Sequence, residues 1–151
     1  MKNKSIIIFS QNFYPASFAD AIRISPIVDF FYEHDFEIKV LTQTKSKNSN
    51  SEKFERIVLS NFSPSNKDRI LVRLLKEVIL GAELFWRIVF LEKAKYYLLS
   101  SPPFISCMIA SYAIFICQRK LIFDVRDIYP DIYVKQYAIK EGGIFHKLLL
   151  F

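Results

Sequence analysis

Tyr96-Tyr97-Leu98-Leu99-Ser100-Ser101-Pro102-Pro103 and Lys120-Leu121-Ile122-Phe123-Asp124-Val125-Arg126-Asp127 decide the fold. Each begins as a short apolar run rich in β-formers and ends in polar residues, as a buried strand does when it emerges at a sheet edge. Between them lies an apolar stretch of helical length containing both cysteines, Cys107 and Cys117. Strand, helix-length crossover and strand make a βαβ unit, because parallel pairing needs a connection of about a dozen residues or more.

Working outward, the same kind of run recurs at Ser5–Ser10, Phe36–Thr42 and Arg56–Asn61. Asp20–His34 reads as a helix with Ile24, Ile27, Val28, Phe31 and Tyr32 on one stripe, Asp20 placed to cap it, and Pro26 either kinking it or marking its start. Residues 45–53 and Ser63-Pro64-Ser65-Asn66 read as polar loops inside the domain, and no internal repeat occurs. The expected fold is α/β, a Rossmann-like doubly wound parallel sheet with right-handed crossovers, one domain over residues 1–151. Leu121-Ile122-Phe123 reads as an interior strand although it would be the outermost of those present, which predicts further structure beyond it. The run Ile144–Leu150 has no helix stop signal before Phe151, so truncation at the C-terminus is expected.

With 52% hydrophobic residues and only 24% charged, the chain lies far from the composition of disordered segments. Its net charge of +6 suits an anionic partner, and the apolar excess points to a membrane surface rather than nucleic acid. Nucleic-acid binding would interleave basic residues with exposed aromatics, a pattern missing here. The two cysteines, ten positions apart on one helix, cannot pair and indicate a reducing compartment. Ser5–Phe9 is too short for a signal-peptide core, and the uncharged run Ser100–Gln118 is broken by Pro102-Pro103, so the expected location is cytoplasmic.

Asp68–Phe90 reads as one long helix with Arg69, Arg73, Lys76, Glu77, Glu83 and Arg87 on a single stripe. The rest of its surface, Phe85 and Trp86 included, is more apolar than one sheet face can cover. Arg69, Arg73 and Lys76 beside such a face suit anionic lipid heads, so these residues with Phe85 and Trp86 are the expected membrane-facing set. Burial inside a larger protein would explain the same pattern.

In open parallel sheets ligands bind outside the carboxyl ends of the strands. Three polar segments fall there: residues 11–20, Ser100-Ser101-Pro102-Pro103, and Asp124-Val125-Arg126-Asp127-Ile128-Tyr129-Pro130-Asp131. Asp124 and Arg126 share one side by strand alternation, and carboxylates around an arginine make either a binding rim or a structural charge network. His34 reads as a cation at a helix C-terminus. No Cys/His metal spacing, Gly-x-Ser-x-Gly, phosphate-loop lysine or Gly-x-Gly-x-x-Gly motif occurs.

The order of these segments resembles the N-terminal domain of the family 4 glycosyltransferases of the GT-B fold, in the bacterial branch that builds O-antigen and capsule. The resemblance rests on Asn12-Phe13-Tyr14-Pro15, Ala21-Ile22-Arg23-Ile24, Ser100-Ser101-Pro102-Pro103 and above all Phe123-Asp124-Val125-Arg126-Asp127-Ile128-Tyr129-Pro130-Asp131. It implies the acceptor-side half of an enzyme that transfers a sugar from a nucleotide-sugar to a lipid-linked glycan. Such an enzyme works peripherally on the inner face of the cytoplasmic membrane. The implied crevice residues are Asn12, Tyr14, Arg23, Ser100, Ser101, Asp124, Arg126 and Asp127, with no catalytic role assigned to any of them and no metal. The family's second domain holds the nucleotide-sugar and nothing here matches it, so this half is expected to bind no cofactor and to be inactive alone. A separately encoded donor half is one expected partner; a non-catalytic, membrane-associated scaffold is the alternative. The family's first loop is glycine-rich, whereas Ala16-Ser17-Phe18-Ala19 has no glycine, which argues against close approach of donor phosphate there.

Overall fold

The computed structural model describes residues 4–45, 54–65 and 67–126. Five strands form one all-parallel sheet: β1 (Ser5–Phe9), β2 (Glu37–Thr42), β3 (Glu55–Val58), β4 (Tyr96–Ser100) and β5 (Lys120–Asp124), ordered β3-β2-β1-β4-β5. Helix α1 (Ala19–Glu33) links β1 to β2, α2 (Ile70–Trp86) precedes β4, and α3 (Phe104–Ile116) links β4 to β5. The architecture is the Rossmann-like α/β sheet expected from the alternation of apolar runs.

Period-two alternation sorts the core into two layers. Ile7, Phe9, Leu41, Tyr97 and Leu99 point to one face, where Leu80, Leu84, Ile88, Cys107, Ala110, Ala113 and Ile114 of the α2 and α3 segments cover them. Ile6, Ile8, Ile38, Val40 and Leu98 point to the other, beneath Ile24 and Val28 of α1. Burial of each Ile, Val, Leu or Phe among them contributes about 1.5–3 kcal/mol relative to exposure, which makes the central strands β1, β2 and β4 the most firmly held.

Several local expectations need correction. Of the two readings of Pro26, the one that places it inside α1 holds, and Ser25 Oγ donates to the Ala21 carbonyl. Asp20 does not cap α1; Phe18 occupies that position without a side-chain cap. The long helix ends at Trp86 and continues as a π-helical turn over Arg87–Leu91. Among the described residues β5 is one of the two edge strands, with β3, and its Leu121 and Ile122 are exposed rather than fully buried.

Two members of the polar stripe of α2, Arg73 and Glu77, turn inward. Arg73 is buried, its Nε 3.1 Å from Oε1 of a fully buried Glu77. Glu77 also reaches α3: its Oε2 accepts from the Ile105 amide at 3.0 Å and its carbonyl from Ser106 Oγ at 2.7 Å. A carboxylate from α2 thereby satisfies an amide in the first turn of α3, where no local side chain caps the helix. Close approach of the two helices is set by Gly81, because a Cβ there would lie 2.7 Å from Ile109 Cδ1 and 3.2 Å from the Ser106 backbone.

Candidate functional site

The strand order places a switch point between β1 and β4: the chain leaves β1 for β2 on one side and later adds β4 on the other. Loops diverge at the carboxyl ends of such neighbours and leave a crevice. A cleft of about 560 Å³ lies there. Gln11 and Asn12 line it from the end of β1, Phe18, Ala19 and Asp20 from the start of α1, Ser63, Pro64, Ser65 and Lys67 from the loop after β3, and Pro102 and Arg126 from the ends of β4 and β5.

Beside the cleft, Asp124 gathers a cluster. Its Oδ1 accepts from Arg23 Nη2 at 2.9 Å, and its Oδ2 from Arg126 Nε at 3.2 Å and Ser100 Oγ at 3.0 Å. Arg126 Nη2 also donates to Ser100 Oγ. Ser101 holds the neighbouring backbone, its amide donating to the Asp124 carbonyl at 3.1 Å while its Oγ accepts from the Arg126 amide at 3.5 Å. Charge-assisted bonds of this kind are about twice as strong as neutral ones, so the guanidinium of Arg126 is oriented before any ligand arrives.

Asp124 is thus a holder of arginines. With donors on both oxygens it is poorly placed to take a proton from a ligand. Two arginines share its single negative charge, which leaves the rim cationic, and the Lys67 side chain adds to it across the cleft. Such a rim suits an anion with several acceptor oxygens, because guanidinium matches phosphate and carboxylate geometry.

The first loop is pinned from two directions. Asp20 Oδ2 accepts from the Asn12 amide at 3.2 Å and from Asn12 Nδ2 at 2.9 Å. Gln11 Nε2 donates to Ser63 Oγ at 2.8 Å and to the Pro64 carbonyl at 2.9 Å, tying the end of β1 to the loop after β3. That loop is fixed in turn by Asp68, which accepts from the Ser65 amide at 2.9 Å and from Lys76 Nζ at 2.8 Å. Lys76 is the main cause holding the Asp68 carboxyl below its ordinary value.

Of the residues expected at the crevice, Asn12 and Arg126 line the cleft, Asp124 and Arg23 brace its rim, and Ser100 and Ser101 lie buried beneath it. Tyr14 does not line the cleft; its ring is exposed and, among the described residues, its carbonyl accepts from Arg56 Nη1 at 2.6 Å. Asp127 lies outside the described residues. Gln11 and Asp20 fall within the strand-end segment 11–20 but were not expected as crevice residues themselves, and Ser63, Ser65 and Lys67 were not expected there at all. The rule that ligands sit at strand ends points to the loop after β3 as much as to the others, but its Ser and Pro composition reads as an ordinary turn.

The membrane-facing set divides. Arg69 and Trp86 are exposed, Phe85 is half-buried, Lys76 is engaged by Asp68, and Arg73 is buried against Glu77. Arg73 therefore does not face outward. Among the described residues no helix is long and apolar enough to cross a membrane, and no group of His, Cys, Asp or Glu is placed to hold a metal ion.

No protein-family model matches the chain, and no curated protein matches it in sequence. Similar solved structures include two of the C-terminal domain of a hydrogenase from Pyrococcus furiosus. One has a TM-score of 0.52 at 14% identity, covering 82% of this chain and 93% of that one. The other has a TM-score of 0.52 at 11% identity, covering 80% and 90%. Likeness at such identity shows the α/β fold alone.

Proposed function

We propose that this chain is the acceptor-side half of a GT-B glycosyltransferase, its cleft receiving a diphosphate-bearing, lipid-linked glycan at the inner face of the cytoplasmic membrane. A nucleotide-sugar on a donor domain supplies the sugar. The observation that carries this reading is the convergence of the motif residues: Ser100 after β4, Asp124 and Arg126 after β5, and Arg23 from α1 meet at one rim of the cleft. Those positions are the ones on which the family resemblance rests.

In this reading Arg126 and Lys67 bind the acceptor's phosphates, Asp124 keeps Arg126 and Arg23 oriented, and Asn12 offers polar contacts to a sugar. Positioning of this kind supplies a large part of the barrier reduction in two-substrate transfer. Activation of the attacking hydroxyl belongs to groups other than Asp124, whose oxygens are occupied.

Calorimetric titration of the whole chain with a soluble short-chain prenyl diphosphate sugar tests the reading. Saturable binding is expected, weakened roughly tenfold or more by Arg126→Ala, since bonds to charged groups contribute about 1.5–3 kcal/mol each. Equal affinity for the variant, or no binding, would overturn it and leave the scaffold alternative.

A further inference from the structure

Phe18 holds a place in the chain that folding does not explain. It stands immediately before α1, where a side-chain oxygen would accept from an unpaired amide of the first turn, and a phenyl ring cannot. Its ring is 61% exposed, and among the described residues no other ring or cation stacks on it. A side chain that neither caps its helix nor packs in the core, yet lines the cleft, breaks a local rule in the way binding residues do.

The polar groups of the same cleft are poised for hydroxyls. Ser63 Oγ accepts from Gln11 Nε2 at 2.8 Å and Ser65 Oγ from the Lys67 amide at 3.3 Å, so each hydroxyl proton remains to donate. Asn12 commits its Nδ2 to Asp20, while its Oδ1, with no partner among the described residues, remains to accept. Donors and an acceptor beside one flat apolar face match a pyranose, whose hydroxyls do both and whose ring carbons present a C–H face. A prenyl chain in the same place would take Ser63, Ser65 and Asn12 out of water without replacing their bonds. Phosphate belongs instead to the cations Lys67 and Arg126.

We infer that Phe18 is the wall on which the acceptor's sugar ring stacks, with Ser63, Ser65 and Asn12 reading its hydroxyls, so that the cleft selects a glycosylated diphosphate over the bare one. This rests on the acceptor reading of the cleft and adds to it the residue that tells a sugar-bearing ligand from one without a sugar.

Calorimetric titration of the whole chain with farnesyl diphosphate and with its glucosyl ester, farnesyl diphosphoglucose, tests the assignment. The unaltered chain should prefer the glucosylated ligand roughly tenfold, the effect of covering most of a phenyl ring. Phe18→Ser should abolish that preference while leaving farnesyl diphosphate within about twofold, and Phe18→Tyr should keep it. Because serine can cap α1, Phe18→Ser should also raise the denaturation midpoint, which separates lost selectivity from misfolding. Arg126→Ala should weaken both ligands alike. A preference that survives in Phe18→Ser while Arg126→Ala weakens both ligands would overturn the inference and leave the acceptor reading standing. A loss in Phe18→Ser that is equal for both ligands would overturn it too, since Phe18 would then meet the prenyl chain or the diphosphate. No binding of either ligand, or binding indifferent to Arg126→Ala, would remove the acceptor reading and the inference with it.

Discussion

Cys107 shows how far one side chain's surroundings fix its chemistry. It is fully buried, and desolvation, with Glu77 adding to it, pushes its thiol well above the ordinary value. Because the thiolate is the nucleophile, a disulfide reagent at mildly alkaline pH should modify the partly exposed Cys117 and reach Cys107 only on unfolding; equal rates at both would contradict this packing. The buried pair Arg73–Glu77 gives a second prediction. Glu77→Ala removes both the partner of Arg73 Nε and the acceptor of the Ile105 amide, and should cost roughly 3–5 kcal/mol in denaturant unfolding, as breaking buried ion pairs does. Arg73→Met/Glu77→Leu should cost less than the sum of the single changes. Neither role was legible in the sequence. Arg73 and Glu77 share a stripe with Lys76 and Glu83, and a stripe of charges on a helix is ordinarily its solvated side. The amide that needs Glu77 lies at Ile105, beyond the reach of any local pattern.

At the scale of elements the sequence was most informative where physics is local. All five strands fall within a few residues of their expected bounds, since buried parallel strands are continuous apolar runs that need no knowledge of their neighbours. The outward placement of Arg73 on α2 was the main misreading, because its side chain is drawn inward to Glu77, which is fixed against α3. Gly81 marks the contact. Ala at this position gains about 1 kcal/mol of helix propensity, but its Cβ meets Ile109 Cβ at 3.1 Å and backbone at Ser106 at 3.2 Å, which cannot give way as a flexible tip can. Gly81→Ala should therefore destabilise the protein by about 1–2 kcal/mol, read as a lower denaturation midpoint; a stabilised variant would show that α2 and α3 are not in tight contact. Of the candidate site, the residues at the ends of β4 and β5 were legible because a strand end is a defined place. The share of Gln11, Asp20 and Lys67 was not, since it depends on how the loop after β3 folds back over β1.

For the whole molecule, the titrating groups set a pH window. Burial raises the Tyr97 hydroxyl and Cys107 thiol, and the hydrogen bond to Glu92 raises Lys39. Groups raised in the folded state stabilise it fully below their ordinary values and lose that contribution as pH climbs through the folded ones. Stability should thus decline once pH passes the ordinary thiol value of 9.0 and fall further beyond 10.5. Asp68, lowered by Lys76, acts at the other end: its contribution is present above 3.8 and is lost as pH falls through its folded value. Thermal unfolding across this range should give a plateau bounded on both sides; stability still rising above pH 10.5 would contradict these assignments. The α/β sheet and its cleft then pose the functional question at this same scale, since β1, β3, β4, β5 and α1 all contribute to one rim. Amide chemical shifts of the isotope-labelled whole chain, followed while a short-chain prenyl diphosphate sugar is added, test the central claim most directly. The account predicts saturable shifts concentrated at Gln11, Asn12, Asp20, Ser101 and Arg126, lost in Arg126→Ala; shifts that bypass these residues, or none at all, would contradict it.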